Sequence, residues 1–175
     1  MIYRSLYITP DGYDDLIMES DGTALKALCF KNSSDISKLS TREVTDAELD
    51  IFDAARAWLD VYFSGRDPGA APNCSIDGLT PFRARVIAAM NEIPFGQTVT
   101  YGDIAKRLAA ESGLESMSAQ AVGGAVGWNP LCIIVPCHRV VGANGALTGY
   151  GGGIKNKVKL LENEGHDMTR FSLPR

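Results

Sequence analysis

The sequence predicts a small α+β unit followed by a mostly helical one that carries a helix-turn-helix-like pair. Three observations predict it. Short β-prone runs crowd the first thirty residues, and the Gly/Pro-rich segment SGRDPGAAPN (residues 64–73) interrupts the chain. Beyond that break, apolar residues recur at helical spacing. The units are therefore read as residues 1–73 and 74–175.

In the first unit, MIYRSLYIT, DLIMES and TALKALCF read as strands, and Asp21-Gly22 between the last two is a hairpin-turn signal. Residues 46–63 read as a helix, with Leu49, Phe52, Leu59, Tyr62 and Phe63 near a 3.6-residue repeat. After the break, Thr80-Pro81 supplies a cap and a first-turn proline for a helix burying Phe82, Val86, Ile87 and Met90. TYGD (residues 100–103) resembles a capping box with Asp103 in the usual Glu/Gln place, opening a helix through Ile104, Ala105 and Leu108. Next comes SAQAVGGAVGWN (residues 118–129), a second short helix full of small residues. Glycine there costs roughly 0.5–1 kcal/mol per residue relative to alanine, so Gly123 and Gly124 imply close approach of another backbone, inside the protein or in a DNA groove. LCIIV (residues 131–135) reads as a buried strand-like run. IKNKVKLLENE (residues 154–164) reads as a last helix ended by Gly165, with Ile154, Val158 and Leu161 facing inward.

Composition narrows the class. At 175 residues, 45% hydrophobic and 22% charged, the chain is ordinary globular protein. No apolar run approaches a membrane span, and the N-terminus lacks a signal-peptide profile, so the expected location is cytoplasmic. The four cysteines show no disulfide framework and read as free thiols. Residues 1–79 hold 7 Lys/Arg against 14 Asp/Glu, whereas residues 80–175 hold 10 against 7. The split between net −7 and net +3 admits a polyanion contact in the second half as well as plain surface scatter.

Only two histidines occur, and one follows a cysteine in PCHR (residues 136–139). A thiol is a good nucleophile only as thiolate, which a nearby histidine and positive potential favour. Adjacent side chains of an extended segment point opposite ways, so either the chain bends after Pro136 or His138 acts through a bridging water. Neighbouring Cys137 and His138 are poorly placed to share a tetrahedral zinc ion, and the chain has no Cys-x-x-Cys for dithiol chemistry. A protease-like site would have only His166 as its distant histidine. Cys29, Cys74 and Cys132 read as structural.

Asn129-Pro130, IIVPCHRVVG, Asn144-Gly145, TGYGGG and LLENEG, in this order and frame, resemble the O6-alkylguanine-DNA alkyltransferases, the methylated-DNA–protein-cysteine methyltransferases. The resemblance covers roughly residues 80–166, with YFSGR (residues 62–66) also similar. It implies a ribonuclease-H-like N-terminal α+β domain and a winged-helix-type C-terminal domain. It implies one-shot transfer of an alkyl group from guanine O6 in double-stranded DNA to Cys137, by a monomer without cofactor or metal. His138 would accept the thiol proton through water, oriented by Glu164, and Asn129 would tie down the nucleophile's turn. Tyr101 would pack near the displaced nucleotide and help guanine leave, Tyr150 would wall the pocket, and the Gly151 amide would face O6. The carbonyls of Cys137 and Val140 would read the base amino group. A base edge inside a duplex is out of reach, so the lesion must be flipped out. The helix with Ala119, Gln120, Gly123 and Gly124 would lie in the minor groove, with Arg139 adding positive potential toward DNA.

Gln120 stands where some relatives carry arginine, which predicts weaker nonspecific affinity. Trp128 reads as core. Alkyltransferase-like proteins share this frame but lack the acceptor cysteine and only flag lesions; Cys137 argues against that class. The resemblance leaves open methyl against bulkier groups and the acceptance of O4-methylthymine.

Overall fold

The computed structural model describes residues 1–174. Strands β1 (Ile2–Tyr7), β2 (Leu16–Ser20) and β3 (Leu25–Phe30) form an antiparallel meander, and β4 (Val44–Asp46) adds parallel to β1, giving the order β3-β2-β1-β4. The expected hairpin is present for a chemical reason. The Asp21 carboxylate accepts from the backbone amides of Thr23 and Ala24, both at 3.0 Å, and Gly22 takes φ 103°.

The helix expected over residues 46–63 begins later, because residues 44–46 are taken by β4. It runs as α1 (Asp50–Phe63) and buries Phe52, Leu59 and Tyr62 completely. The chain then passes back alongside β3, where the amide of Leu25 donates to Asn73 O and that of Ser75 to Leu25 O, both at 2.9 Å. Helices α2 (Pro81–Asn91), α3 (Tyr101–Glu111) and α4 (Ala119–Gly127) follow, capped by Thr80, Thr100 and Ser118. The Thr100–Asp103 capping box forms in both directions. Short parallel strands β5 (Val99–Thr100) and β6 (Val140–Val141) tie the start of α3 to the segment after Arg139. Helix α5 (Ile154–Asn163) closes the fold.

Two readings need correction. LCIIV is not a strand. Leu131 makes one bridge to Leu28, then the chain turns at once through Ile133 at φ 68°, with the Val135 amide donating back to Leu131 O at 2.9 Å. Positive φ in a β-branched residue costs on the order of 1–3 kcal/mol and persists only where the surroundings over-determine it. Helix α5 is also rotated from the expected face. Its fully buried residues are Asn156, Lys157, Leu160 and Leu161, while Ile154 and Val158 are half-buried. Asn156 sets this rotation, with its amide donating to Asp14 Oδ2 at 2.9 Å and Gly152 O at 2.7 Å.

One hydrophobic core runs through both halves of the chain, from Leu16 and Phe30 through Tyr62 to Met90, Leu131 and Leu160. Leu28 sits at its junction: its amide donates to Pro130 O at 2.8 Å and its carbonyl accepts from Cys132 at 2.9 Å. Leu28→Ala should cost about 2–5 kcal/mol by the transfer and cavity terms. The loss should appear in urea unfolding as one cooperative transition moved to lower denaturant, monitored at once by far-UV circular dichroism and tryptophan fluorescence.

Candidate active site

The bend demanded by the Cys-His pair exists. Residues Cys137–Arg139 form a single 3-10 turn after Pro136, so consecutive side chains leave in different directions within one buried cluster. Cys137 is 6% exposed and His138 fully buried. Asn129 builds the nucleophile's support: its Nδ2 donates to Val135 O at 2.9 Å, Leu131 O at 3.3 Å and Cys137 Sγ at 3.2 Å, while Oδ1 accepts from the Leu131 amide at 3.0 Å.

Behind the thiol, Glu164 at the end of α5 collects donors from four residues in three parts of the chain. Oε1 accepts from His138 Nε2 at 2.6 Å, the Tyr62 hydroxyl at 2.9 Å and Arg139 Nη2 at 3.0 Å. Oε2 accepts from Arg139 Nε at 2.9 Å and the Gly96 amide at 3.0 Å. Burial alone would raise this carboxyl, but the hydrogen bonds from His138 and Arg139 and the charge of the Arg139 guanidinium outweigh it and bring it down to about 2. Burial holds the His138 imidazole below its ordinary 6.5 against the pull of Glu164. The result is an ionised carboxylate beside a neutral imidazole. A carboxylate only accepts, so Nε2 must carry the proton and Nδ1 the lone pair. Nδ1 is buried and has no protein partner among the described residues.

Burial also pushes the Cys137 thiol up. The Asn129 hydrogen bond, Lys38 and Lys157 oppose this, and Asp35 adds to it. Lys157 was not singled out by sequence. Its ammonium lies fully buried, donates to Val140 O at 2.7 Å and sits 5.6 Å from the Tyr150 ring, and burial lowers it to about 8. Tyr101, Tyr150 and Gly151 line a small space beside Cys137, together with Val126, Gly127, Gly149, Asp35 and Lys38. The Tyr150 hydroxyl is enclosed there without a protein partner among the described residues. That space measures about 10 Å³, the volume of roughly one water.

The structure thus brings together Cys137, His138, Glu164, Asn129, Tyr101, Val140, Tyr150 and Gly151. It separates Arg139 from the expected DNA face: the guanidinium is turned inward onto Glu164 and donates to Ile93 O at 2.7 Å. Ala119, Gln120 and Gly124 are exposed on α4, and Gly123 faces the Tyr101 ring, where an added Cβ would sit 3.8 Å from it. Trp128 is half-buried against the core, with the Arg83 guanidinium 4.2 Å from its ring. Sequence reading missed Tyr62, Asp35, Lys38 and Lys157. Only Lys157 left a signal, as a lysine on the apolar stripe of its helix. Among the described residues, no three His, Cys, Asp or Glu side chains converge as a metal-binding group, and no helix is long and apolar enough to cross a membrane.

A buried thiol, a neutral imidazole with a free lone pair and an ionised carboxylate, next to a helix of small exposed residues, define the class: a protein with a thiol nucleophile and its own proton acceptor. Residues 81–166 match the family "6-O-methylguanine DNA methyltransferase, DNA binding domain". The methylated-DNA–protein-cysteine methyltransferase of Methanosarcina acetivorans is 36% identical over 164 residues, 94% of this chain and 99% of that protein. The one from Mycobacterium tuberculosis is 47% identical over 124 residues, 69% of this chain and 72% of that protein. The crystal structure of Mycobacterium tuberculosis OGT in complex with DNA superposes with a TM-score of 0.76 at 36% identity, covering 97% of this chain and 94% of that one. The chain belongs to the methylated-DNA–protein-cysteine methyltransferase family.

The buried histidine has a stability consequence. Its folded pKa lies below the unfolded 6.5, so the unfolded state binds more protons as pH falls through that range, and stability is lost on acidification. Glu164, held at about 2 against a usual 4.5, extends the same loss to lower pH. His138→Gln should therefore flatten the fall in unfolding free energy just below pH 6.5 and reduce, without abolishing, the fall below pH 4.5, since Arg139 still holds Glu164 down. Urea midpoints at half-unit pH steps would show it.

Proposed function

We propose that this protein reverses alkylation damage in DNA by taking the alkyl group from guanine O6 onto Cys137 in one irreversible turnover. The observation that carries this reading is the imidazole lone pair, which Glu164 directs away from itself by holding the Nε2 proton. His138 Nδ1 takes the Cys137 proton through a bridging water, the S–C bond forms as the C–O6 bond breaks, and the proton ends on the released guanine. A thioether has no good leaving group, so the protein does not turn over. Such proton relay contributes typically 10²–10⁴-fold to a rate.

The other residues take positions around that step. Asn129 holds the turn and donates to Sγ, Tyr101 and Tyr150 flank the base, and the Gly151 amide faces O6. The carbonyls of Cys137 and Val140 read the guanine amino group; that of Val140 already accepts from Lys157, which leaves its second lone pair for the base. Arg139 is an internal counter-ion for Glu164, so the DNA face is α4, with Ala119, Gln120, Gly123 and Gly124 in the minor groove and Gln120 filling the space of the flipped base. A double-stranded, lesion-bearing DNA is the partner of a monomeric, cytoplasmic protein. Residues 1–73 are a ribonuclease-H-like buttress, and residues 74–175 a winged-helix-type reader and acceptor.

Intact mass and peptide mapping after incubation with a duplex holding one O6-methylguanine test this directly. The expected result is a stoichiometric gain of one CH2 on the peptide containing Cys137. No gain with tight lesion binding would instead indicate a damage-recognition module. Cys137→Ser should abolish the gain and still bind the duplex. Binding of either form should weaken as salt rises, since phosphate contacts release counterions, and a flat salt response would count against a DNA partner.

A further inference from the structure

The pocket beside Cys137 is closed by a piece of the other half of the chain. The five-residue 3-10 turn Ser34–Lys38, after β3, supplies Asp35 and Lys38 to its lining. Asp35 is only 5% exposed there, against the backbone of Gly151, so close that a side chain at 151 would collide with its carboxylate. Two hydrogen bonds hold the turn down: Ser34 Oγ donates to Gly151 O at 3.0 Å and Lys38 Nζ to Asn129 O at 2.8 Å. Lys38 also pairs with Asp35 at 2.5 Å. Of the other walls, Val126 is buried and Tyr101 and Tyr150 pack against the core, while Gly127 and Gly149 are exposed.

Space for about one water cannot admit a purine. We propose that the Ser34–Lys38 turn is a latch on the acceptor pocket, with Asp35 as its plug, and that it makes the protein discriminate a flipped nucleotide in DNA from a free alkylated base. This rests on the alkyl-acceptor reading of Cys137. A site that is open only a fraction of the time binds more weakly by that fraction. A lesion in duplex DNA brings remote contacts whose binding energy opens the latch, and a free base brings none. For a protein spent after one reaction, this reserves the thiol for DNA.

The probe is free O6-benzylguanine. Its reaction forms S–CH2, breaks O6–CH2 and leaves the thiol proton on the released guanine. Its second-order rate would be compared, by mass at Cys137, with that of an O6-methylguanine duplex. Asp35→Ala should raise the free-base-to-duplex rate ratio about tenfold, the equivalent of about 1.4 kcal/mol of closure. Ser34→Ala, which keeps the plug and removes one tether, should raise it several-fold and carries the test should Asp35→Ala fold poorly by circular dichroism. An unchanged ratio in whichever variants fold overturns the latch. Asp35→Asn keeps the plug's bulk but loses the pair with Lys38, so it should raise the ratio less than Asp35→Ala does. In either variant, a rise of both rates with the ratio unchanged is relief of negative charge near the thiol and overturns the latch. Parent protein that gains no methyl from the duplex sinks the alkyl-acceptor reading itself, a result separate from either.

Discussion

Everything at the site hangs on one buried carboxylate. Taking Glu164 out of water costs several kcal/mol, and only dense donation makes it tolerable. Here the donors come from α1, from the Gly96 turn and from both residues after Cys137. The carboxylate is thus a knot joining the two halves of the chain at the point where the chemistry is oriented. Arg139 explains why it stays ionised while His138 stays neutral: the guanidinium is charged at every relevant pH and bonds both oxygens. Without that permanent counter-ion, the imidazole itself would have to carry the balancing charge, and a protonated imidazole has no lone pair with which to accept a thiol proton.

The same arrangement reconciles two features that look opposed. A nucleophile is expected to have a depressed pKa, yet burial raises the Cys137 thiol. Oxidation and stray alkylation follow thiolate character and exposure, so a protonated, enclosed thiol is protected while it waits. Asn129 and Lys157 oppose the cost of the thiolate from fixed positions, and the neutral imidazole is set to receive the proton. The site is preorganised for the reaction but not yet committed to it.

Local signals made much of this legible. The Asp21-Gly22 hairpin, the Thr80 and Thr100 caps and the glycine-rich α4 are rules of a few residues, and each holds in the structure. Cys137, His138, Glu164 and Asn129 stood out through a long motif in one frame. What stayed hidden depends on contacts that no local window contains. LCIIV has the composition of a strand, but the Asn129 side chain takes its carbonyls and folds it into a turn. Arg139 looked like a DNA contact because nothing in sequence places it against a glutamate twenty-five residues away. Tyr62 was counted as one more apolar position on its helix, though its hydroxyl reaches the centre of the site.

Three of the four hidden residues share an origin that clarifies the division of labour; the fourth, Lys157, lies within the matched family domain. Tyr62, Asp35 and Lys38 all lie in the half of the chain outside the matched family domain, residues 81–166. All touch groups that surround the thiol: Tyr62 meets Glu164 from behind, while Asp35 and Lys38 meet Gly151 and the Asn129 carbonyl from in front. A reactive cysteine in a small helical unit would be reached by water and electrophiles from two sides. The first half of this chain contributes to both sides, with the Tyr62 hydroxyl behind and Asp35 and Lys38 in front. Hydrogen bonds and ion pairs exchange readily for water when a surface opens, whereas separating packed apolar faces exposes them at roughly 25 cal/mol per Å². A polar closure at the pocket mouth over an apolar core beneath therefore lets the site open without loosening the fold that positions the thiol.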